Sequence, residues 1–425
     1  MNSGQPSRSA ARLARRHRRE RLFRSGGVLA LGVALGFLGL ILVTLAGQGA
    51  GAFTQTAIDL PVRYAPERLG VEGEAAGFER GNFDALVLAA LTDALGIADA
   101  DRAMRRELRQ LVSIDAAFVL RDRLESEPWL LGQRVDMRVP AAANVDMLVK
   151  GQLSREIEPS RRPLSDRQIR WVDRLAADGR LERRFNAALF TNGDSREPEL
   201  AGIRGALKGS LLMLVVTVVL AFPVGVAAAI YLEELAPRNR WTTIVEVSIN
   251  NLAAVPSIVF GLLGLAVLID GFGLPRSAPV VGGIVLALLT LPVIIIASRA
   301  AIRNVPVSLR EAALGLGASR LQVVFHHVMP LAMPGILTGT ILGVGRALGE
   351  TAPLLMIGMV AFIVDVPESF SDPATALPVQ IYLWAESPER AFAERTSAAI
   401  LILLALLLAL NILAALVRRS VERNR

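Results

Sequence analysis

Six apolar stretches, each of about twenty residues or more, constrain this chain more than any other feature: 27–46, then roughly 206–232, 243–269, 279–298, 334–364 and 397–417. A hydrocarbon layer offers the backbone no hydrogen-bond partner, so segments of this length close their own bonds as α-helices. The expected fold is an all-α membrane protein of six transmembrane helices. A polar stretch, 51–204, separates the first helix from the second. Charged residues make up 20% of the chain despite 52% hydrophobic ones, which excludes a wholly embedded protein.

Arginine placement orients the helices. Arg12, Arg15, Arg16, Arg18, Arg19, Arg21 and Arg24 precede the first run. Arg238 and Arg240, then Arg299, Arg303, Arg310 and Arg320, and finally Arg418, Arg419, Arg423 and Arg425 fall on that same side if each run crosses once. The opposite short loops carry Asp270 against Arg276, then Asp365, Glu368, Asp372, Glu386 and Glu389. Cations collect on the cytoplasmic face, so both termini are expected inside and 51–204 outside. Ala50-Gly51-Ala52 resembles a cleavage site, but the long basic lead and long apolar core favour an uncleaved anchor. The net charge of +7 therefore reads as topology and not as nucleic-acid binding; only Lys150 and Lys208 are lysine.

The outer stretch is long enough to bury its own core as a mixed α/β domain. Helices are expected from Asn82 to Leu95 with Gly96 as the stop, from Arg102 to Val112, and after Ser165, where Ser165 and Gln168 form a capping box. Strands are expected from Phe53 to Val62 and from Arg134 to Val139. Trp241 and Trp384 read as interfacial anchors, and Pro223, Pro256, Pro292 and Pro353 as interruptions of the spans.

Between the fourth and fifth runs lies the loop 301–333. Ser308 with Glu311 and Ser319 with Gln322 read as two capping boxes flanking Gly315 and Gly317, which predicts a helix-Gly-helix elbow closed by Pro330 and Pro334. His326 and His327 read as facing a partner or lipid headgroups. The fifth run then carries Gly335, Gly339, Gly343, Ala347 and Thr351 at every fourth position, a ridge that lets another helix approach closely. Arg346 and Glu350 stand beside that ridge near the middle of the run, where a charge costs about 2.5–3.5 kcal/mol unless it is compensated. Arginine offers a planar fork suited to an oxyanion, with Glu350 as its holder; an interhelical ion pair accounts for the same two residues equally well. Arg299 reads as lining the inner mouth or, more simply, as snorkelling to the surface.

Several chemistries have no support. The chain contains no cysteine and three histidines, His17, His326 and His327, which gives neither disulfides nor a usual zinc site. Neither lysine follows a glycine, so no phosphate-binding P-loop is present, and any ATP hydrolysis belongs to another chain. No catalytic residue, metal or cofactor is expected here.

Glu311-Ala312-Ala313, with Gly317 and Ser319 following and Pro330 at the close, resembles the coupling loop of type I binding-protein-dependent ABC importer permeases. The segment Gly345 to Leu355, together with Pro223, Gly225 and Tyr231-Leu232-Glu233-Glu234, is similar to the PstA family of phosphate-specific permeases. The likeness covers roughly 205–417; the 51–204 insert is the departure from it. It implies a permease fold at 205–417 and a translocation path for inorganic phosphate that includes Arg346, Glu350, Thr351 and Arg299. It also implies a second permease subunit (PstC-like), an ATPase dimer (PstB-like) seated on Glu311, Ala312, Ala313, Gly317 and Ser319, and a periplasmic phosphate-binding protein (PstS-like), all at a bacterial inner membrane. From the residues alone, a permease for another anion or solute stays open, as does a receptor or scaffold with a ligand-binding outer domain.

Overall fold

The computed structural model describes residues 8–70, 78, 81–156, 158, 162–360 and 362–423. Arg425 and the side chains of Arg12, Arg15 and Arg423 lie outside the described residues. Bundle helices are labelled α1–α9 and strands β1–β3.

Helix α1 (Arg8–Gly49) leads into the inserted domain. There β1 (Thr54–Arg63) forms the centre of a three-stranded antiparallel sheet between β2 (Arg134–Pro140) and β3 (Leu181–Phe185). The register runs Ala57 opposite Pro140 to Arg63 opposite Arg134 on one side, and Thr54 opposite Phe185 to Ile58 opposite Leu181 on the other. Alternation along β1 points Ile58, Leu60 and Val62 into a core with Leu86, Val87 and Leu91 of the helix Phe83–Leu95. That helix is capped by the Asn82 side chain and stopped by Gly96 in the left-handed conformation, φ +61°. The box at Ser165 and Gln168 forms with both bonds in place. The helix from Arg102 is shorter than expected and ends at Arg109; Val112 instead bridges Ala141.

The remaining chain is helical: α2 (Arg204–Ile230), α3 (Arg240–Ala253), α4 (Ser257–Leu263), α5 (Pro279–Arg303), α6 (Val307–Gly315), α7 (Met329–Leu348), α8 (Leu377–Ala385) and α9 (Ala391–Arg423). Among the described residues, five helices are long and apolar enough to cross a membrane, or six if the bent segment Arg240–Ile269 counts as one. That segment is not the straight span its composition suggests. It turns through 102° between α3 and α4, where Pro256 follows Val255 and cannot continue the helix. Pro223 and Pro292 stay inside α2 and α5.

Close approach organises the bundle. A Cβ on Gly335 would meet Ala301 at 2.7 Å, one on Gly339 would meet Ala297 at 2.2 Å, and one on Gly343 would meet Thr290 at 2.9 Å. The glycine ridge of α7 is thus the seam with α5. The ridge ends at Ala347, because α7 stops at Leu348 and the fifth apolar run does not continue as helix to residue 364. Thr351 begins a separate short helix, Ala352–Met356, with Pro353 in its first turn.

The inserted domain is bolted to the bundle. The Lys150 ammonium, 6% exposed, reaches Asp146 at 2.6 Å, the Thr54 carbonyl at 2.8 Å and Glu394 of α9 at 3.1 Å. Arg395 donates to the Ala201 carbonyl at 2.6 Å. Trp384, expected at a lipid interface, is instead 3% exposed and donates its indole N–H to Asp194 at 3.0 Å, because Leu189, Ala201 and Ile203 cover it. Burial pushes the Glu199 carboxyl above its ordinary range, and burial raises Asp194 too, against hydrogen bonds from Trp384 and Ser195.

Gly339→Val should destabilise the chain by about 1–3 kcal/mol, since the α5–α7 seam has no room to yield; thermal unfolding in nanodiscs measures this. A second expectation concerns pH. Glu199 holds its proton more tightly folded than unfolded, so the cost of burying its charge is full above the raised folded value and fades as pH falls through it toward 4.5. Glu199→Gln should therefore stabilise the protein at neutral pH, with the advantage over wild type shrinking on acidification. An advantage independent of pH would contradict this.

Candidate functional site

Pro306 occupies the cap position of α6, which starts at Val307. Ser308 consequently lies inside the first turn, and the box expected between Ser308 and Glu311 does not form. The second box does: Ser319 and Gln322 exchange bonds of 2.8 and 3.3 Å. Between them Gly317 adopts φ +86°, which a side chain would resist, and the chain turns back on itself. From Gln322 a widened π-helical stretch, Val323–Val328, runs directly into α7. Any displacement of the elbow is thereby carried into α7.

The elbow has two faces. Ala313 is buried with Val323, Val324, Val328, Ile302 and Val305. Glu311, Ala312 and Gly317 are exposed, and so are large apolar side chains, Leu314, Leu316, Leu321 and Phe325. His326 and His327 are exposed as well. Apolar side chains gathered around an acid on a projecting turn mark a contact surface.

Behind the elbow lies a group of charges made by Arg299, Arg303 and Arg310 with Glu233, Glu234 and Glu246. Arg299, 7% exposed, does not snorkel: its Nε donates to Glu233 at 2.5 Å and a terminal N–H donates to Glu246 at 2.6 Å. Arg303 reaches the other oxygen of Glu233 at 2.7 Å. Arg310 of α6 pairs with Glu234 at 2.9 Å and donates to the Ile302 carbonyl at 2.8 Å. The two glutamates sit on a π-helical turn, Tyr231–Leu235, at the end of α2, and Glu246 is on α3. Four elements are tied together: α2, α3, α5 and the elbow. They border an open cavity of about 810 Å³ whose walls include Glu233, Glu234, Arg238, Glu246, Arg303 and Arg310. Only the alternation of acids and arginines on facing helix ends could have signalled this grouping, and pairing across helices is not readable from one sequence.

Arg346 and Glu350 are at a different level. Arg346 lies in the last turn of α7 and not mid-helix, and Glu350 lies beyond the helix end; their side chains meet at 3.4 Å, 56% and 18% exposed. Thr351 occupies the position just before the following short helix, without a capping bond from its side chain. This segment is packed closely against the broken span, since a Cβ on Gly261 would strike Pro353 at 2.6 Å. The α5–α7 seam places Gly335 at Ala301 and Gly343 at Thr290, so Arg299 and Arg346 are separated by roughly 15 Å along the axis at 1.5 Å per residue. The structure does not join them into one site.

Residues 204–423 match the family model described as the binding-protein-dependent transport system inner membrane component. The chain belongs to that permease family. A second model, a domain of unknown function, matches residues 10–159. This permease is 35% identical over 224 residues to the phosphate transport system permease protein PstA 1 of Mycobacterium tuberculosis, covering 53% of this chain and 73% of that protein. It is 39% identical over 155 residues to the probable ABC transporter permease YqgI of Bacillus subtilis, covering 36% and 52%. A methionine ABC transporter solved in inward-facing conformations aligns over 52% of this chain and 95% of its own at 17% identity, with TM-score 0.41. The chain is a PstA-like, type I ABC permease and a multi-pass membrane protein, and permeases of its family work with an ATPase and a substrate-binding protein.

Removing Arg299 leaves Glu246 without its salt bridge and Glu233 with Arg303 alone. Arg299→Gln should cost roughly 3–5 kcal/mol, the range for breaking a buried pair, whereas Arg303→Gln, at the exposed end, should cost within about 1 kcal/mol. Chemical unfolding of the two variants in one detergent gives the comparison; equal losses would show that Arg299 is not the hub.

Proposed function

We propose that this permease forms, with a second, PstC-like permease subunit, the path by which inorganic phosphate crosses a bacterial inner membrane. Its partners are a PstB-like ATPase dimer on the cytoplasmic side and a PstS-like binding protein outside. The observation that carries the mechanism is the two-faced elbow: exposed Glu311, Ala312, Gly317 and Leu316 face a partner while Arg310 and Ala313 grip the spans. Relationship to phosphate permeases supports the substrate. In this reading the broken segment counts as one span, making six, with both termini inside and the inserted domain outside.

ATP-driven closure of the ATPases pushes α6. Because Arg310 is paired to Glu234, and Glu233 through Arg299 to Glu246, the push moves the inner ends of α2, α3 and α5 as a unit. The direct run of helix from Gln322 moves α7 with them. Two gated states follow without any covalent chemistry in this chain, and no cofactor is required of it. Arg299 belongs to the lock and not to the lining, since its guanidinium is already committed to two carboxylates.

Arg346 and Thr351 lie where the substrate passes. Among the described residues, Glu350 is the one ionic partner of Arg346, and the pair is long enough at 3.4 Å to yield to a phosphate oxygen. A guanidinium presents two parallel N–H groups to such an anion, and Glu350 steadies it between passages.

Arg346→Gln should assemble normally yet lower phosphate uptake about tenfold to a hundredfold, the equivalent of the ~1.5–3 kcal/mol of a charged hydrogen bond. Uptake of labelled phosphate, sulfate and molybdate by proteoliposomes of the whole transporter tests the substrate; equal uptake of all three would remove phosphate selectivity. Scrambling 311–317 should abolish ATP-dependent uptake while leaving the spans folded.

A further inference from the structure

Strand β3 is the uncovered edge of the outer sheet, and its register fixes its height. Thr54, opposite Phe185, follows immediately on the first apolar segment, Arg16–Phe53, so Phe185 is the membrane-proximal end of β3. Arg184 and Arg183 stand one and two residues farther out, at about 3.3 Å each. Phe185 is 68% exposed yet stacks on Phe190 at 5.8 Å between ring centres, and Phe190 stacks on Phe53 at 6.1 Å. Phe190 belongs to the short helix Ala188–Thr191, whose last carbonyl accepts a bond from Arg204 at the start of α2. One end of this ring stack, Phe53, and its middle ring, Phe190, are therefore tied to points where the chain leaves or enters the apolar bundle.

An exposed aromatic ladder is a liability in water but not at the boundary of a bilayer, where flat rings settle among headgroups. The arginines beside it are placed for phosphate oxygens. Arg184 shares Glu182 at 2.9 Å, and Arg183 uses one N–H on the Val149 carbonyl at 2.6 Å, so two arginines face a single acid on this strand. Lipid is the occupant because the patch lies at the end of α1, whose apolar residues are exposed over most of their length until Gly49 packs on Ala398 of α9.

We infer that this edge of the inserted domain, Phe53, Phe185 and Phe190 with Arg183 and Arg184, rests in the headgroup layer and binds anionic lipid. The inference rests on the membrane reading of α1 and α2 but not on the identity of the transported solute. It gives the inserted domain a fixed seat on the bilayer, clamped from above by the Lys150 contacts with α9.

The native absence of cysteine allows single labelling sites. Phe185→Cys and Phe190→Cys, each carrying an environment-sensitive fluorophore, are compared with Trp129→Cys in the assembled transporter. Trp129 is exposed near the far end of the sheet, roughly 30 Å away at 3.3 Å per residue of β1. In nanodiscs of phosphatidylglycerol and phosphatidylethanolamine, positions 185 and 190 should emit to the blue of 129 and be quenched by spin labels on the lipids, with 129 unquenched. Replacing phosphatidylglycerol by phosphatidylcholine should weaken the quenching, and Arg183→Gln with Arg184→Gln should remove that lipid dependence. Positions 185 and 190 quenched in the isolated chain but not in the assembled transporter would show that another protein covers the patch and overturn the inference. Quenching indifferent to lipid charge would overturn its anionic part.

Discussion

One guanidinium held between two carboxylates, Arg299 between Glu233 and Glu246, is what the elbow end of this permease depends on. The ends of α2 and α5 meet the middle of α3 there; α2, α5 and the elbow also share an apolar core with Ile230, Ile302 and Val305, but α3 has no buried residue of its own. Its hold on the bundle at this level is therefore electrostatic. A buried pair of this kind contributes little net free energy compared with apolar packing, but it is severe toward misplacement, since a displaced partner leaves a charge unpaired in a dry environment. Such a contact suits a machine that must move its parts as units.

The α5–α7 seam is built on a different principle. Glycines of α7 bring the two backbones together, and at Gly339 a Cβ would meet Ala297 at 2.2 Å. Above it, Lys150, Arg395 and Trp384 fasten the inserted domain to α8 and α9 through buried polar contacts. The domain is thus not a tethered module. It is a continuation of the last helix, and whatever tilts α9 tilts the domain with it.

The break at Gly349–Thr351 has a physical consequence for Arg346. The last turn of a helix leaves carbonyls unpaired and carries partial negative charge, which favours an arginine there over one in mid-span. The neighbouring bend between α3 and α4 brings a second broken segment against Pro353. Irregular backbone at membrane depth is tolerated where it is buried in protein or lines a wet cavity, and here two such irregularities face each other.

The amino-acid sequence by itself determined four of the six apolar helices, the runs 243–269 and 334–364 breaking at Pro256 and after Leu348, together with the central and one outer strand of the sheet, the caps at Asn82, Ser165 and Ser319, and the elbow with its exposed Glu311, because each is encoded by neighbours within a few positions. It left β3 invisible, since Leu181-Glu182-Arg183-Arg184-Phe185 is an edge strand with almost no buried side to impose alternation. Two local readings fail against packing: Pro306, two residues earlier, takes the capping position expected for Ser308, and the inserted domain buries Trp384. The tertiary structure alone decided that Arg299 faces Glu233 across 66 residues and Glu246 across 53, that the glycine ridge meets α5, and that Arg299 and Arg346 lie at separate depths. Charge pairing and close approach between helices depend on how whole segments lie against one another, and no local pattern carries that.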